Sequence, residues 1–294
     1  MPRWQGKSKG TPLGYRIFVF VVRTFGLAPA YLLLRLVACY YLLFSWSSSK
    51  HIYRYFRHFH HYPALKSYFS IYRNYFIFGQ TLLDKIVVMA GIDNKFTYEF
   101  DGEDNLRDIV RQGRGGILLS AHVGNWEAAG HLLRRLNTRI NVVMYDGEHQ
   151  QIKDYLQQVT GGRNLNVILI RPDMSHVYAM GEALQKNELI CLHADRFLEG
   201  NKTVVRNFLG QDAQFPQGPF LLSSSFKVPV SVVFAFKESS THYHFYGSET
   251  IERSADESKV DFMDRLLVNF VNELEQKVEM YPEQWFNYFN FWGK

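Results

Sequence analysis

The spacing of hydrophobic and polar residues divides the chain into two parts. Up to about residue 95 the apolar residues form long runs and helical i, i+3, i+4 patterns, which predict helices. From residue 96 onward, short apolar runs of strand length alternate with stretches of helical length. That alternation is typical of an α/β sheet with helices on both faces. We therefore predict a helical segment at 1–95 and an α/β domain at 96–294, built on a mixed central sheet.

The α/β part is predicted to alternate strands with helices in a regular order. Its predicted strands are 96–100, 116–121, 140–145, 165–170, 188–193, 203–208, 229–236 and 242–247. Its predicted helices are 104–112, 125–136, 148–159, 175–186, 216–226 and 256–280. Hydrophobic residues make up 47% and charged residues 21% of the 294-residue chain, which excludes a disordered protein. This length can bury a full core as one large domain or as two small ones.

The first long apolar run, 15–46, is interrupted by Arg23 and Arg35. A helix that spans a bilayer needs about 20 apolar residues, and the charge-free stretches here, 24–34 and 36–49, are shorter. A tilted span with a snorkelling arginine, a helical hairpin in one leaflet, an interfacial helix and a soluble core segment all fit this pattern. We predict a membrane-associated segment and leave open whether it spans the bilayer.

Charge is distributed unevenly between the two parts. Residues 1–95 hold 13 of the 33 lysines and arginines but only two of the 28 acids, Asp84 and Asp93, which leaves 20 basic and 26 acidic residues in the remainder. The first part therefore carries a formal charge of +11 and the second −6. A basic, aromatic and apolar segment favours an anionic membrane surface as partner. No nucleic-acid-binding motif accompanies it, so nucleic acid is not expected as a partner.

Three histidines, His58, His60 and His61, form a cluster that suggests a metal site, since His58 and His61 share one helix face. A proline follows directly, and no carboxylate or cysteine lies nearby. We therefore favour a solvated or headgroup-facing basic cluster. The two cysteines, Cys39 and Cys191, are far apart and offer neither a disulfide framework nor zinc spacing.

The strongest candidate chemistry lies in 119-LSAHVGNWEAAG-130, between a predicted strand and a predicted helix. His122 follows the strand directly, at the position where open α/β sheets collect ligand-binding groups. Asn125 is the predicted N-cap of the helix, and Glu127 falls in its first turn, where the helix dipole alone also favours a carboxylate. His122 and Glu127 could therefore be a catalytic pair, a metal site or part of a well-capped helix.

Four blocks of the sequence carry a resemblance to a known family. The first, 122-HVGNWE-127, matches the HxxxxD/E signature of the glycerolipid acyltransferases, and in this form it resembles the bacterial late acyltransferases of lipid A biosynthesis. The others are 193-HADR-196, the stretch 203–234 with its Pro-x-Gly helix start, and 282-PEQWFNYFNFW-292. They occur in the family's order, so the resemblance covers nearly the whole chain. The family often has Asp-Gln or Asp-His at the second block, where this chain has Asp195-Arg196.

The resemblance implies roles for the residues of the first block. His122 is expected to take the proton of the attacking hydroxyl, because an alcohol is a poor nucleophile at neutral pH. Glu127 would then hold the imidazole tautomer and stabilise the imidazolium. The backbone amides of Gly124 and Asn125 are candidate donors to the tetrahedral oxyanion.

Further residues are assigned to substrate binding on the same resemblance. Arg171, at the end of a predicted strand, is the first candidate for an additional oxyanion donor, and Arg163 is its rival. Asp195 is expected to fix an arginine or to hydrogen-bond a polar acceptor. Arg206 is a further substrate-binding candidate. By contrast, the aromatic pair 285–286 is expected to be core or membrane-interface residues rather than contacts to the reacting atoms.

The function implied is that of a membrane-associated acyltransferase. It would move a long acyl chain from acyl carrier protein, or alternatively coenzyme A, to a hydroxyl of a lipid acceptor such as a lipid A precursor. Other acceptors, namely a lysophospholipid, an amino-acid lipid or an aryl polyene, stay open, as does a non-catalytic lipid-binding role. A hydrolase lacks support because no Gly-x-Ser-x-Gly elbow is present. No metal or cofactor is expected, and the predicted location is the cytoplasmic face of a bacterial inner membrane.

Overall fold

The N-terminal part is helical, as predicted. The structure is a computed structural model that describes residues 12–92, 94–125, 136–145 and 166–293. Its first helices are α1 (Pro12–Phe25), α2 (Leu27–Phe44), α3 (Trp46–Arg54) and α4 (Ala64–Met89). A π-helical turn, Tyr55–Phe59, follows α3. Pro63 precedes α4 directly, in the position where its fixed backbone angle suits a helix start.

Strands and helices alternate from residue 97 onward. The strands are β1 (Thr97–Asp101), β2 (Gly116–Ser120), β3 (Ile140–Met144), β4 (Asn166–Leu169), β5 (Leu189–His193), β6 (Thr203–Phe208), β7 (Gln211–Pro216), β8 (Val230–Lys237) and β9 (His242–Gly247). The helices are α5 (Glu103–Arg111), α6 (Ser175–Gln185), α7 (Gln217–Phe226) and α8 (Lys259–Met280), and a 3₁₀ turn, Pro282–Gln284, follows α8. The predicted helices at 125–136 and 148–159 lie outside the described residues, apart from 125 and 136.

A central sheet of seven strands has the order β1-β9-β8-β2-β5-β3-β4. Its neighbouring strands are parallel except for β8 and β9, which are antiparallel. All residues of β2 and β8 are buried, because strands in the middle of such a sheet are covered on both faces. The predicted α/β fold with a mixed central sheet is therefore confirmed.

The predicted strand 203–208 is present, but it lies outside the central sheet, which is a correction to the expected architecture. It forms β6, but it pairs antiparallel with β7 in a separate two-stranded sheet. The strand β7 was not predicted, because 211-QDAQFP-216 is polar at every second position and looks like a loop. Its burial nevertheless alternates as in a half-buried strand, since Ala213 and Phe215 are buried whereas Asp212 and Gln214 are exposed.

The N-terminal helices and the sheet share a hydrophobic core. Side chains of α2 and α4 pack in one cluster with those of β9, and the buried members include Ala30, Tyr31, Leu34, Leu83, Val87, Tyr243 and Phe245. The helical segment is therefore packed directly against one end of the sheet. The change from helix to strand falls between the end of α4 at Met89 and the start of β1 at Thr97.

The same helices leave apolar side chains exposed on their other faces. On α2, Leu32, Leu36 and Leu43 follow helical spacing and are 64%, 69% and 70% exposed. Exposed apolar residues of the neighbouring helices α1 and α4 include Leu13, Phe20, Leu65 and Phe69. Among the described helices, α2 is long and apolar enough to cross a bilayer, by length and composition. We call this exposed surface of α1, α2 and α4 the apolar face.

Candidate active site

His122 lies directly after β2, beside the carboxyl end of β5. The parallel register aligns Ser120 with His193, and the amide of Ala194 donates to the carbonyl of Ser120 at 2.9 Å. This alignment brings Asp195 to His122. Its Oδ1 lies 2.8 Å from the imidazole Nδ1, and its Oδ2 accepts a hydrogen bond from the His122 amide at 3.0 Å. Two neighbouring strand ends thus build a histidine–carboxylate pair.

Burial differs sharply between the two members of this pair. The Asp195 side chain is fully buried, whereas 25% of the His122 side chain is exposed. Burial alone would raise the pKa of Asp195, but the charges of His122 and Arg196 and the hydrogen bond from His122 hold it well below its ordinary value. The carboxylate is therefore ionised and accepts the Nδ1 proton. This tautomer of His122 places the imidazole lone pair on Nε2.

His193 adds a second imidazole to the site. Its ring centre lies 4.4 Å from that of His122, and burial, followed by the proximity of His122, lowers the pKa of His193 well below its ordinary value. Ligand atoms of His122, His193 and Asp195 lie within 4.8 Å of one another, a set that could hold a metal ion. A metal was not expected because the sequence shows no ligand spacing, yet the strand register assembles three potential ligands, two imidazoles and one carboxylate. The proton between His122 and Asp195 would have to leave before a metal bound there.

The loop after His122 is held close to β8. Gly124 has a φ of 57°, and a Cβ at this position would lie 1.9 Å from the carbonyl oxygen of Ala235. Only glycine fits here, because a side chain would collide with the backbone. The Gly124 amide donates to the carbonyl of Gln284 at 2.9 Å, and the Asn125 amide donates to that of Ala235 at 2.7 Å. Both expected oxyanion donors are therefore engaged within the protein in this conformation.

The C-terminal segment borders this loop on another side. Val123 and Trp285 form an antiparallel bridge, and the amide of Phe286 donates to the carbonyl of His122 at 3.3 Å. Trp285 and Phe286 are 2% and 5% exposed, so they are core residues, as expected. The side chain of Gln284 bonds both backbone groups of Lys237 on β8, at 2.9 Å and 2.7 Å. The His122 loop is thus fixed between β8 and the end of the chain.

A buried ion pair supports the loop through Asn125. The Asn125 Nδ2 donates to the hydroxyl of Tyr243 at 3.1 Å and to the carbonyl of Thr81 on α4 at 3.2 Å. The Tyr243 hydroxyl in turn donates to Asp84 of α4. Lys237 completes the group, with its Nζ 2.6 Å from an Asp84 oxygen. We call Asp84, Lys237, Tyr31, Tyr243 and Asn125 the buried network, since the Tyr31 hydroxyl of α2 also donates to Asp84.

Neither member of this ion pair was among the predicted site residues. Asp84 is one of only two acids in residues 1–95, and it lies in an apolar, amphipathic stretch. A lone carboxylate in such a stretch is a signal that it has a buried partner, because an unpaired buried charge is very unfavourable. Its partner Lys237 lies 153 positions further along the chain. Only the tertiary structure could supply that pairing.

The remaining predicted site residues lie apart from the pair. The Arg171 side chain is exposed at the end of β4, which is separated from β2 by β3 and β5. At about 4.8 Å per strand, three strand spacings place it beyond the reach of His122. The guanidinium of Arg206 on β6 pairs with Asp264 on α8. Glu127 and Arg163 fall outside the described residues, so their roles stay predictions.

The position of Asp195 is not the one expected of a residue that binds the acceptor. The Arg196 Nε lies 3.7 Å from its Oδ2, so an arginine is indeed nearby. The guanidinium of Arg196 also donates to the carbonyl of Phe286 at 2.6 Å. Because the Asp195 side chain is fully buried, it contacts His122 rather than a bound acceptor in this conformation.

The site is a partly exposed imidazole that is oriented by a buried carboxylate at the strand ends of an α/β sheet. Proteins of this class are suited to acid–base chemistry on a bound substrate. The model of the family described as bacterial lipid A biosynthesis acyltransferase matches residues 71–293. The chain therefore belongs to the bacterial lipid A biosynthesis acyltransferase family, and it is an acyltransferase that acts on lipid.

The chain was also compared with curated proteins and with solved structures. No curated protein matches the chain in sequence. Among solved structures, the chain is similar to the 1-acyl-sn-glycerophosphate (LPA) acyltransferase PlsC from Thermotoga maritima. The sequence identity is 14% and the TM-score is 0.37, over 85% of this chain and 97% of that chain.

Proposed function

We propose that the protein transfers a long acyl chain from acyl carrier protein to a hydroxyl of a lipid acceptor, a lipid A precursor, at the cytoplasmic face of the inner membrane. The observation that carries this proposal is the 2.8 Å contact between His122 Nδ1 and the fully buried Asp195. It orients a base whose other nitrogen carries the lone pair, which is what a hydroxyl nucleophile requires. Membership of the family supplies the lipid as substrate class.

The reaction follows from this geometry without a covalent enzyme intermediate. His122 Nε2 takes the proton of the acceptor hydroxyl while its oxygen forms a bond to the thioester carbonyl carbon. Asp195 stabilises the resulting imidazolium through Nδ1. Collapse of the tetrahedral intermediate breaks the carbon–sulfur bond, and the imidazolium returns its proton to the departing thiolate. The products are an ester and a free thiol, and His122 is restored.

The direct test is acyl transfer by the purified full-length protein in detergent. We expect mass spectrometry to show the lipid acceptor heavier by one acyl chain, with one thiol released for each ester formed. Acyl carrier protein is acidic and the N-terminal part of this chain is basic, so the rate with this donor should fall with rising salt more steeply than with acyl-CoA. Free fatty acid without an acylated acceptor would show a hydrolase instead. If thiol is released but none of the tested lipid acceptors becomes acylated, the proposed acceptor class has no support.

Membrane association through the apolar face gives a second prediction. Replacing Leu32, Leu36 and Leu43 together with serine should lower the partition coefficient onto vesicles of phosphatidylethanolamine and phosphatidylglycerol. Burying one leucine is worth about 1.5–3 kcal/mol, so the triple change should reduce partitioning at least about 10²-fold. Flotation of the full-length protein with the vesicles in a density gradient measures this fraction.

Val260→Ser is the matched control for this experiment. Val260 is 67% exposed, close to the 69% of Leu36, but it lies on α8 rather than on the apolar face. The control should float like the wild type. If the wild type remains at the bottom of the gradient, or if the triple variant floats as well as the control, α2 does not bind membranes through these leucines.

A further inference from the structure

A cleft of about 260 Å³ lies between the π-helical turn and the turn that connects β6 to β7. Arg57, His58, Phe59 and His61 line one side, and residues 209–211 line the other. The three histidines of the sequence cluster have different environments here. His60 turns inward and packs against Tyr55, with ring centres 4.6 Å apart, whereas its two neighbours line the cleft. We call it the histidine cleft.

Among the residues that the structure describes, the lining of the histidine cleft is basic and contains no acid. The guanidinium of Arg57 donates to the carbonyl of Tyr62 at 2.5 Å, and no carboxylate among the described residues forms an ion pair with it. Two acids lie near the lining residues without lining the cleft themselves. Glu275 accepts a hydrogen bond from the Leu209 amide at 2.9 Å, and Asp212 follows Gln211 in the chain. An arginine with remaining N–H groups beside two imidazoles is suited to a multivalent anion such as phosphate.

Gln211 gives an independent indication of a ligand. One end of its amide lies 2.6 Å from the Nε2 of His58. The other end is buried and has no hydrogen-bond partner among the described residues. Leaving a buried polar atom unsatisfied costs about 1–3 kcal/mol. A half-turn of the amide exchanges its oxygen and nitrogen, so that the oxygen accepts from His58. Because Gln211 lines the cleft, its N–H groups would donate to an anion there once the side chain turns toward it.

The backbone around the cleft is held in sparsely populated conformations. His61 and Leu209 have φ values of 53° and 52°, in the left-handed region that non-glycine residues rarely adopt. Such residues cost on the order of 1–3 kcal/mol each and concentrate at functional sites. The π-helical turn beside His61 is a second feature of that kind. The φ of Leu209 is the one that a two-residue hairpin turn requires, since Phe208 pairs with Gln211. The irregular backbone at the cleft is therefore that of the π-helical turn and His61.

An aromatic layer connects the cleft with the active site. Phe59 stacks on Trp292 with ring centres 3.6 Å apart, and Trp292 packs edge-on against Trp285 at 5.6 Å. Trp285 is bridged to Val123, the residue after His122. Phe59, which lines the cleft, therefore belongs to the same aromatic cluster that supports the catalytic loop.

We propose that the histidine cleft binds a phosphate group, that of a phosphorylated lipid headgroup on the acceptor. Arg57 supplies the charge and His61 supplies an N–H donor. His58 holds the amide of Gln211, whose N–H groups complete the set of donors. The assignment to the acceptor rests on the proposed function, whereas phosphate binding as such does not. The two parts are therefore tested by separate measurements.

Phosphate binding is tested on the full-length protein in detergent, labelled with ¹³C at histidine Cε1. Titration with inorganic phosphate at constant ionic strength should shift the signals of His58 and His61 saturably, with assignment by H58Q and H61Q. His242 and His244 are the internal reference, because Glu99, Asp101 and Glu238 face them. Absence of a shift at His58 and His61, or an equal shift at the reference pair, would overturn the cleft as a phosphate site.

Arg57→Ala should weaken phosphate binding at least about tenfold, since a hydrogen bond to a charged group is worth about 1.5–3 kcal/mol. Lys50→Ala is the matched control, because it removes one positive charge from an exposed position outside the cleft. The control should bind phosphate like the wild type. Equal weakening in both variants would show a general charge effect and would contradict a defined site.

The source of the phosphate is decided by kinetics with two acceptors, one phosphorylated and one dephosphorylated. Arg57→Ala should raise KM for the phosphorylated acceptor about tenfold, with kcat unchanged, and should leave KM for the other unaltered. Equal KM values in wild type and variant, together with intact phosphate titration in the wild type, would assign the cleft to free phosphate and reject the headgroup. If no acceptor is acylated, the proposed function fails while the titration still reports on the cleft.

Discussion

Replacing His122 with alanine is expected to lower kcat for acyl transfer by about 10²- to 10⁴-fold, because the acceptor hydroxyl loses the base that takes its proton. KM for both substrates should change little, since the imidazole contributes to the transition state rather than to binding. Initial rates of ester formation in detergent measure the effect. Turnover equal to that of the wild type would exclude His122 as the base.

Asp195→Asn tests how the imidazole is oriented. Asp195 is fully buried and contacts His122, so its expected effect is on kcat through His122, with a loss of similar order. An anion beside an imidazole favours the imidazolium, so removing it should move the acidic limb of the pH–rate profile to lower pH. Asp108→Asn, an exposed acid on α5, is the control and should change neither quantity.

Glu127 is the other candidate for the residue that orients His122. Glu127→Gln and Asp195→Asn should be measured side by side, each with its pH–rate profile. If Asp195 orients His122, the acidic limb moves in Asp195→Asn. A limb that moves in Glu127→Gln and stays in place in Asp195→Asn, in a protein that is still folded, would give the role to Glu127 and a structural role to Asp195.

Local patterns were sufficient to locate His122. The apolar run 116–121 predicted a strand that ends just before His122, and β2 does end at Ser120. The contact with Asp195 could not be predicted in the same way. It depends on β2 and β5 being neighbours, and strand order is determined by the packing of the whole sheet rather than by either strand.

The oxyanion donors illustrate a second limit. The amides of Gly124 and Asn125 were candidates because helix starts generally leave N–H groups unpaired. In the structure, β8 and the C-terminal segment approach the loop closely enough for Ala235 and Gln284 to accept those bonds. Such contacts between segments more than a hundred residues apart leave no trace in local sequence patterns. The same limit concealed the buried partner of Asp84.

Asp84→Asn should destabilise the protein by about 3–5 kcal/mol, because it leaves the buried ammonium of Lys237 without its counter-charge. The Lys237 and Asp84 side chains are 3% and 0% exposed, so water cannot replace the lost partner. Burial raises the pKa of Asp84 and lowers that of Lys237, which shows how unfavourable either charge is alone. For a chain of this size, the melting temperature in detergent should fall by at least about 6 °C.

The double variant Asp84→Asn/Lys237→Met separates a buried charge from a mere loss of packing. It removes both charges, so it should be more stable than Asp84→Asn by about 1–3 kcal/mol, the coupling expected of residues in one network. Asp108→Asn, which breaks an exposed pair with Arg111, should cost no more than about 1 kcal/mol. Strictly additive effects of the two single changes would contradict an ion pair.

The buried network should also affect catalysis, because Asn125 connects it to the loop that carries His122. At a temperature where Asp84→Asn is fully folded, kcat should fall while KM stays the same, since the loop positions the base rather than binding the substrate. Tyr243→Phe removes the hydroxyl that lies between Asp84 and Asn125, so it should lower kcat in the same direction with the ion pair intact. If both variants are less stable but retain wild-type kcat, the network holds α4 to the sheet and has no part in positioning His122. A fall in kcat in both would make the N-terminal helices part of the catalytic apparatus, in addition to the membrane association proposed for them.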